Sequence, residues 1–198
     1  NRVVGIFFPK DLGDAMAGRV RFLDESHSVI FTDKGIQFFS TRVETSPELV
    51  SQIPIEENIR SITYAQDKVG IVTDNVEGGD PYKLRIYDRE GSPVFEKTFN
   101  YQYTGFDIDG DLVLLYNDSS CKVYNMTGTE KYNGTFDFTV SKVSAGRFPG
   151  TLLVMGPQKM TEIKLQLCRN KSERKYRYHG DEMYRSRCRR NFGKNRTF

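Results

Sequence analysis

The sequence predicts an all-β fold assembled from repeated four-stranded antiparallel sheets. Three observations carry this reading. Apolar runs beginning at Val29, Val69, Leu112 and Leu152 recur at intervals of 40, 43 and 40 residues. Each run is followed, after a polar turn, by a strand in which apolar and polar residues alternate. The turn that ends this alternating strand repeats with its glycine at Gly91 and, 37 residues on, at Gly128. A two-residue period places side chains on opposite faces of a strand, whereas a helix needs a period near 3.6.

Taken in order within a unit, residues 61–64, 104–108 and 140–145 read as weak first strands. The apolar runs 29–31, 69–72, 112–115 and 152–155 read as second strands, buried on both faces between neighbouring units. Residues 36–38, 84–87, 122–124 and 162–165 read as third strands, half covered. Their central apolar residues Phe38, Ile86, Val123 and Ile163 lie 48, 37 and 40 apart, and the long interval holds the Gly/Pro loop 75–81. Fourth strands end in Phe99 and Phe136. Glycine at the turn position supplies a positive φ without a Cβ clash, which closes a tight hairpin.

Four short strands in about forty residues is the period of β-propeller blades. The alternative is a β-sandwich, where regularly spaced strands also occur. About four blades run from roughly residue 19 to 167. They form either a small closed ring, with residues 2–8 pairing as the missing outer strand of the last unit, or part of a larger ring.

Charge divides the chain into two regions. Residues 1–168 carry 18 Lys and Arg against 23 Asp and Glu, a net of −5, while residues 169–198 carry 11 against 3, a net of +8. The expected domains are therefore blades over 1–168 and a basic tail over 169–198. An acidic body argues against nucleic-acid binding by the blades themselves. The tail interleaves its cations with Tyr176, Tyr178, Tyr184 and Phe192. It reads as a disordered or non-native extension, with nucleic acid or an anionic surface as alternative partners. No stretch of 18 apolar residues crosses a bilayer, and the chain opens at Asn1 without a basic-then-apolar leader, so any targeting segment is expected outside it.

Candidate chemistry is sparse. Two histidines, His27 and His179, exclude a three-His metal site, and Cys121, Cys168 and Cys188 are too few for a disulfide scaffold. The acidic run Asp107, Asp109 and Asp111 alternates like a calcium loop, but an EF-hand needs Gly and Glu where Leu112 and Asp118 stand. It reads instead as a polar turn with Gly110 at its tip. His27, beside Asp24 and Ser26, imitates a triad fragment and reads as a solvated turn histidine. Glu56 and Glu57 lie in a polar connector. Sequons at Asn117, Asn125 and Asn133 fall where turns are expected, and those at Asn170 and Asn195 fall in the tail. Phosphate-binding glycine motifs and the nucleophile elbow do not occur, so the reading assigns no catalytic, cofactor or metal residues and no cofactor.

Val69-Gly70-Ile71-Val72-Thr73-Asp74, Leu84 to Gly91 with Val94-Phe95-Glu96, and Leu152 to Gly156 closing on Thr161 to Gln166 resemble the C-terminal blades of an uncharacterised propeller family. Its members are anchored in the membranes of Firmicutes, chiefly Clostridia, by one N-terminal helix. The resemblance covers about half the chain. It implies a longer parent, an extracytoplasmic propeller at the surface of a Gram-positive cell, and no assigned activity. Membrane contact would come only through a segment absent from this chain. The functional expectation is a non-enzymatic binding or scaffolding domain for an unknown protein or cell-surface polymer, with nucleic acid disfavoured. The alternatives are a carbohydrate-active enzyme with carboxylates such as Asp107 at the ring centre, and association through the tail.

Overall fold

A computed structural model describes residues 14–40, 47–65 and 67–165, which fold into fifteen β-strands. The first blade comprises β1 (Ala17–Phe22), β2 (His27–Thr32), β3 (Gly35–Ser40) and β4 (Glu48–Pro54). The second comprises β5 (Ile59–Tyr64), β6 (Lys68–Asp74), β7 (Tyr82–Asp88) and β8 (Pro93–Phe99). The third comprises β9 (Gly105–Asp109), β10 (Leu112–Tyr116), β11 (Ser120–Asn125) and β12 (Glu130–Thr135). The fourth contributes β13 (Lys142–Ala145), β14 (Thr151–Met155) and β15 (Met160–Lys164). Within each sheet the strands pair antiparallel in chain order, a simple meander. All four apolar runs fall in second strands, as the periodicity predicts.

Successive sheets stack face to face over three separate cores. Val29, Phe31, Ile36 and Phe38 of blade 1 meet Val69, Ile71 and Tyr87 of blade 2. Val72, Leu84 and Ile86 of blade 2 meet Ile108, Val113, Leu115 and Tyr124 of blade 3. Leu114, Cys121 and Val123 of blade 3 meet Val143, Leu152 and Val154 of blade 4. Cores in series distinguish blades from a sandwich, which buries two sheets over one core. Each fully buried aliphatic side chain contributes about 1.5–3 kcal/mol, so each junction holds its blades firmly. Among the described residues no core joins blade 4 back to blade 1, and the array is open rather than a closed ring of four. Residues 2–8 and the tail 169–198 lie outside the described residues.

One expectation is corrected. The third strand β3 is almost wholly buried, β7 and β11 are buried or half-buried with no exposed residue, and only β15 has exposed residues at alternate positions. Alternation of residue type does not imply alternation of burial here, because in β7 the polar positions face the preceding blade. Lys83, Arg85 and Tyr87 share one face of β7, and Tyr87 lies in the core shared with blade 1, while Leu84 and Ile86 face blade 3.

The repeated turn is the same object twice. The Oδ1 atoms of Asp88 and Asn125 each accept from the backbone N–H four residues on, at Ser92 and Thr129, both at 2.8 Å. Gly91 and Gly128 follow with φ of 84° and 73°. Aspartate and asparagine suit this position because their short side chains hydrogen-bond the turn's own backbone.

Candidate functional site

Where β4 of blade 1 faces β7 and β8 of blade 2, a cleft of about 630 Å³ opens, lined by Ile53, Pro54, Glu56, Glu57, Val76, Glu77, Arg85, Tyr87 and Glu96. Strand register builds its floor. Arg85 stands directly opposite Glu96 across the β7–β8 pair, and the Arg85 Nε donates to Glu96 Oε2 at 3.2 Å. The connector between β4 and β5 delivers Glu57, whose two carboxylate oxygens accept from the Arg85 Nη atoms in a fork, one at 3.3 Å. Two residues back on the same face, the Lys83 Nζ lies 3.0 Å from Glu96 Oε1 and 3.7 Å from Glu77 Oε2.

The charges are layered. Lys83 and Arg85 are sunk into the floor, whereas the side chains of Glu96 and Glu77 are 53% and 73% exposed at the mouth. Glu56 is also exposed. The hydrogen bond from Arg85 holds the Glu57 carboxyl below the usual carboxylate range against the opposing effect of burial. Burial pulls Arg85 downward, but the bond and charge of Glu57 outweigh it and the guanidinium is held above its ordinary value. A planar guanidinium forked onto a carboxylate is the pairing best able to survive partial burial.

The next junction is built differently. Lys122 holds the position equivalent to Arg85, 37 residues on, and the connector there supplies Tyr101, whose ring lies 5.9 Å from the Lys122 Nζ. Tyr101 packs against the second core alongside Tyr82 and Tyr103. Aromatic bulk occupies that junction, while paired carboxylates leave the first one open.

His27 requires a correction. It is not a solvated turn residue but starts β2 and is 3% exposed. Its Nδ1 lies 2.9 Å from both Asp24 oxygens and 3.2 Å from Ser26 Oγ. Acid and hydroxyl therefore converge on the same ring nitrogen, whereas a catalytic triad needs them on opposite nitrogens. The Ser26 backbone N–H, and then His27, hold the Asp24 carboxyl well below the carboxylate range. Arg89 of blade 2 reaches the same carboxylate at 3.4 Å, tying the blades together.

Of the acidic run only Asp111 lies in the turn, beside Gly110 at φ 57°, while Asp107 and Asp109 belong to β9. Its carboxylates also fasten blades. Asp107 accepts from Thr63 Oγ1 of blade 2 at 3.2 Å and from its neighbour's Ile108 N–H at 2.9 Å. Asp109 accepts from the Ala145 N–H of blade 4 at 2.8 Å. Among the described residues no group of three or more His, Cys, Asp or Glu is placed to hold a metal ion. Asn117 lies between β10 and β11 and Asn125, the last residue of β11, heads the turn that follows it, the two accepting from the N–H groups of Ser119 and Thr127. Asn133 instead lies within β12, opposite Lys122. Cys121 is buried, and burial pushes its thiol up to about 12. No described helix is long and apolar enough to cross a membrane.

With this geometry in hand, a family profile matches residues 1–165. The chain belongs to DUF5711, a family of unknown function. The match extends over the first blade, which the sequence resemblance did not reach. No curated protein matches this family member. Among solved structures it resembles a eukaryotic initiation factor at 12% identity with a TM-score of 0.54, covering 78% of this chain and 42% of that one. The WD40 β-propeller domain of Doa1 matches at 13% identity and TM-score 0.48, covering 76% and 52%. A functionally unknown protein from Desulfotomaculum acetoxidans DSM 771 matches at 14% and 0.46, covering 77% and 56%. The chain thus spans about half the length of the structures it resembles. The first likeness concerns the fold alone.

Proposed function

We propose that this DUF5711 chain supplies blades to a non-enzymatic binding or scaffolding domain. Its parent is held at the surface of a Gram-positive cell by an N-terminal membrane helix, and its partner is a protein or cell-surface polymer. One observation carries the binding reading: the cleft between blades 1 and 2, in which buried cations are neutralised by carboxylates. Groups held in mutual ion pairs orient and recognise; they are poorly placed to exchange protons with a substrate. A ring larger than four blades is supported by the inner strand β1, exposed along its whole length with Val20 at 52% and Phe22 at 73%, while the inner strands of blades 2 to 4 are partly covered.

Incubation of the chain with panels of glycosides and peptides is expected to give no turnover. Reproducible turnover abolished by a single substitution in the cleft overturns the non-enzymatic reading. Protease treatment of intact cells expressing the tagged full-length gene should degrade the domain, and protection until lysis overturns the extracytoplasmic placement.

A further inference from the structure

Resting on that binding reading, we infer that the cleft recognises a long cationic side chain, of lysine or arginine type, presented by an extended basic segment of a protein partner. Three features fix this chemistry. The first is the balance of charge: among the described residues Glu56, Glu57, Glu77 and Glu96 face only Arg85 and Lys83, leaving two carboxylates in excess. The second is depth. Glu57 is spent on Arg85, but Glu77 touches Lys83 only at 3.7 Å, and Glu56 has no ion-pair partner among the described residues. A ligand approaching from solvent therefore meets negative charge first. An anion could reach Arg85 only by displacing the forked Glu57, so ligands carrying phosphate or carboxylate are disfavoured. The third feature is the wall. Ile53, Pro54, Tyr87 and Val76, the last 76% exposed, give apolar surface beside the carboxylates. A methylene stem carrying a terminal cation matches that combination, its stem on apolar wall and its head on carboxylate. A small hydrated metal ion would leave the wall unused.

The next junction makes the argument specific to this one. There Tyr101, from the chain itself, lies beside Lys122 where a ligand would otherwise sit. The first junction has glutamates from its connector, and the aromatic that lines it, Tyr87, comes from β7 rather than from the connector.

The test is titration of the isotope-labelled chain with a capped tetralysine peptide, followed by amide NMR, with tetraglutamate and tetraserine peptides as controls. Tetralysine is expected to shift the Val76 and Tyr87 amides, and tetraglutamate to leave them in place. Glu77→Gln, at an exposed loop position that the fold does not depend on, is expected to weaken tetralysine roughly tenfold, the loss of one close charge pair at an interface. Asp137→Asn removes the same charge beside Lys159, outside the cleft, and is expected to leave affinity unchanged. Equal weakening by both variants would show diffuse attraction to the acidic body and overturn the inference. So would tetraglutamate binding as tightly as tetralysine, or no shift with any peptide. A cleft that shifts with tetraserine but not tetralysine keeps the binding reading and sinks only the ligand class. Turnover in the substrate panels sinks the reading itself.

Discussion

Replacing Gly91 and Gly128 by alanine, one at a time, separates the backbone cost of the repeated turn from the packing cost of one blade on another. Both glycines sit in the same turn with closely similar positive φ, 84° and 73°. A left-handed backbone costs an L-residue about 1–2 kcal/mol, and reduced freedom of the unfolded chain returns about 0.4–1 kcal/mol. The new methyl at Gly128 would meet the Phe95 ring at 3.4 Å, an ordinary contact. Gly128→Ala should therefore lose about 1 kcal/mol. At Gly91 the methyl would lie 2.7 Å from Phe38 Cδ2 and 2.9 Å from Ser51 Cβ. Phe38 is fully buried in the core between blades 1 and 2. Overpacking there adds about 1–3 kcal/mol, for a total of about 2–4 kcal/mol. Gly110→Ala gives a third point, with φ 57° and no atom within 4 Å of the added methyl, and should follow Gly128. Urea denaturation monitored by circular dichroism reads the differences as midpoint shifts at constant slope. Equal losses at Gly91 and Gly128 would refute the claim that the blade 2 hairpin is pressed against Phe38.

Other consequences are equally direct. Folding lowers the carboxyls of Glu57 and Asp24 below their ordinary 4.5 and 3.8, so their stabilising contribution is present above those values and lost as pH falls through the lowered ones. Denaturation midpoints should therefore fall as pH drops below about 5, and Glu57→Gln should flatten part of that slope; an unchanged slope would contradict the Arg85 pairing. Asp109→Ala should cost about 1–2 kcal/mol and speed hydrogen exchange of the Ala145 amide, because a half-buried N–H loses its acceptor. Asp109→Asn, which keeps an oxygen there, should cost less, and equal effects would discount the bond. In a chain carrying Cys168→Ser and Cys188→Ser, Cys121 should resist thiol reagents at about pH 8 until urea unfolds the protein, since the reactive species is the thiolate; rapid labelling of the folded form would show that the third core is not closed.

Much of the fold is legible because its causes are local. The apolar runs, the alternating third strands and the Asp88 and Asn125 turns each depend on residues a few positions apart, and the repeat multiplies the signal. The burial of the third strands is less legible, since Lys83 and Arg85 read as solvent-facing residues until a neighbouring sheet is placed over them. The cleft was visible only as the pair Glu56 and Glu57 in a polar connector. The signal that could have found it is Arg85 itself, a charge in the middle of a strand flanked by buried aliphatics, which demands a carboxylate from elsewhere. His27 misleads for the same reason: its neighbours suggest a solvated turn, but the hairpin buries the ring and turns Asp24 onto it.

By itself the sequence determined the all-β class, the forty-residue module, the order of strands within it and the glycines that close its turns, because pleating and turn chemistry act over a few bonds. Tertiary structure alone decided that Glu57 meets Arg85 across 28 residues and Asp107 meets Thr63 across 44, and that the array stays open among its described residues. Those pairings depend on how one sheet lies on the next. That docking is set by volume and charge summed over many side chains, which no short stretch of sequence contains.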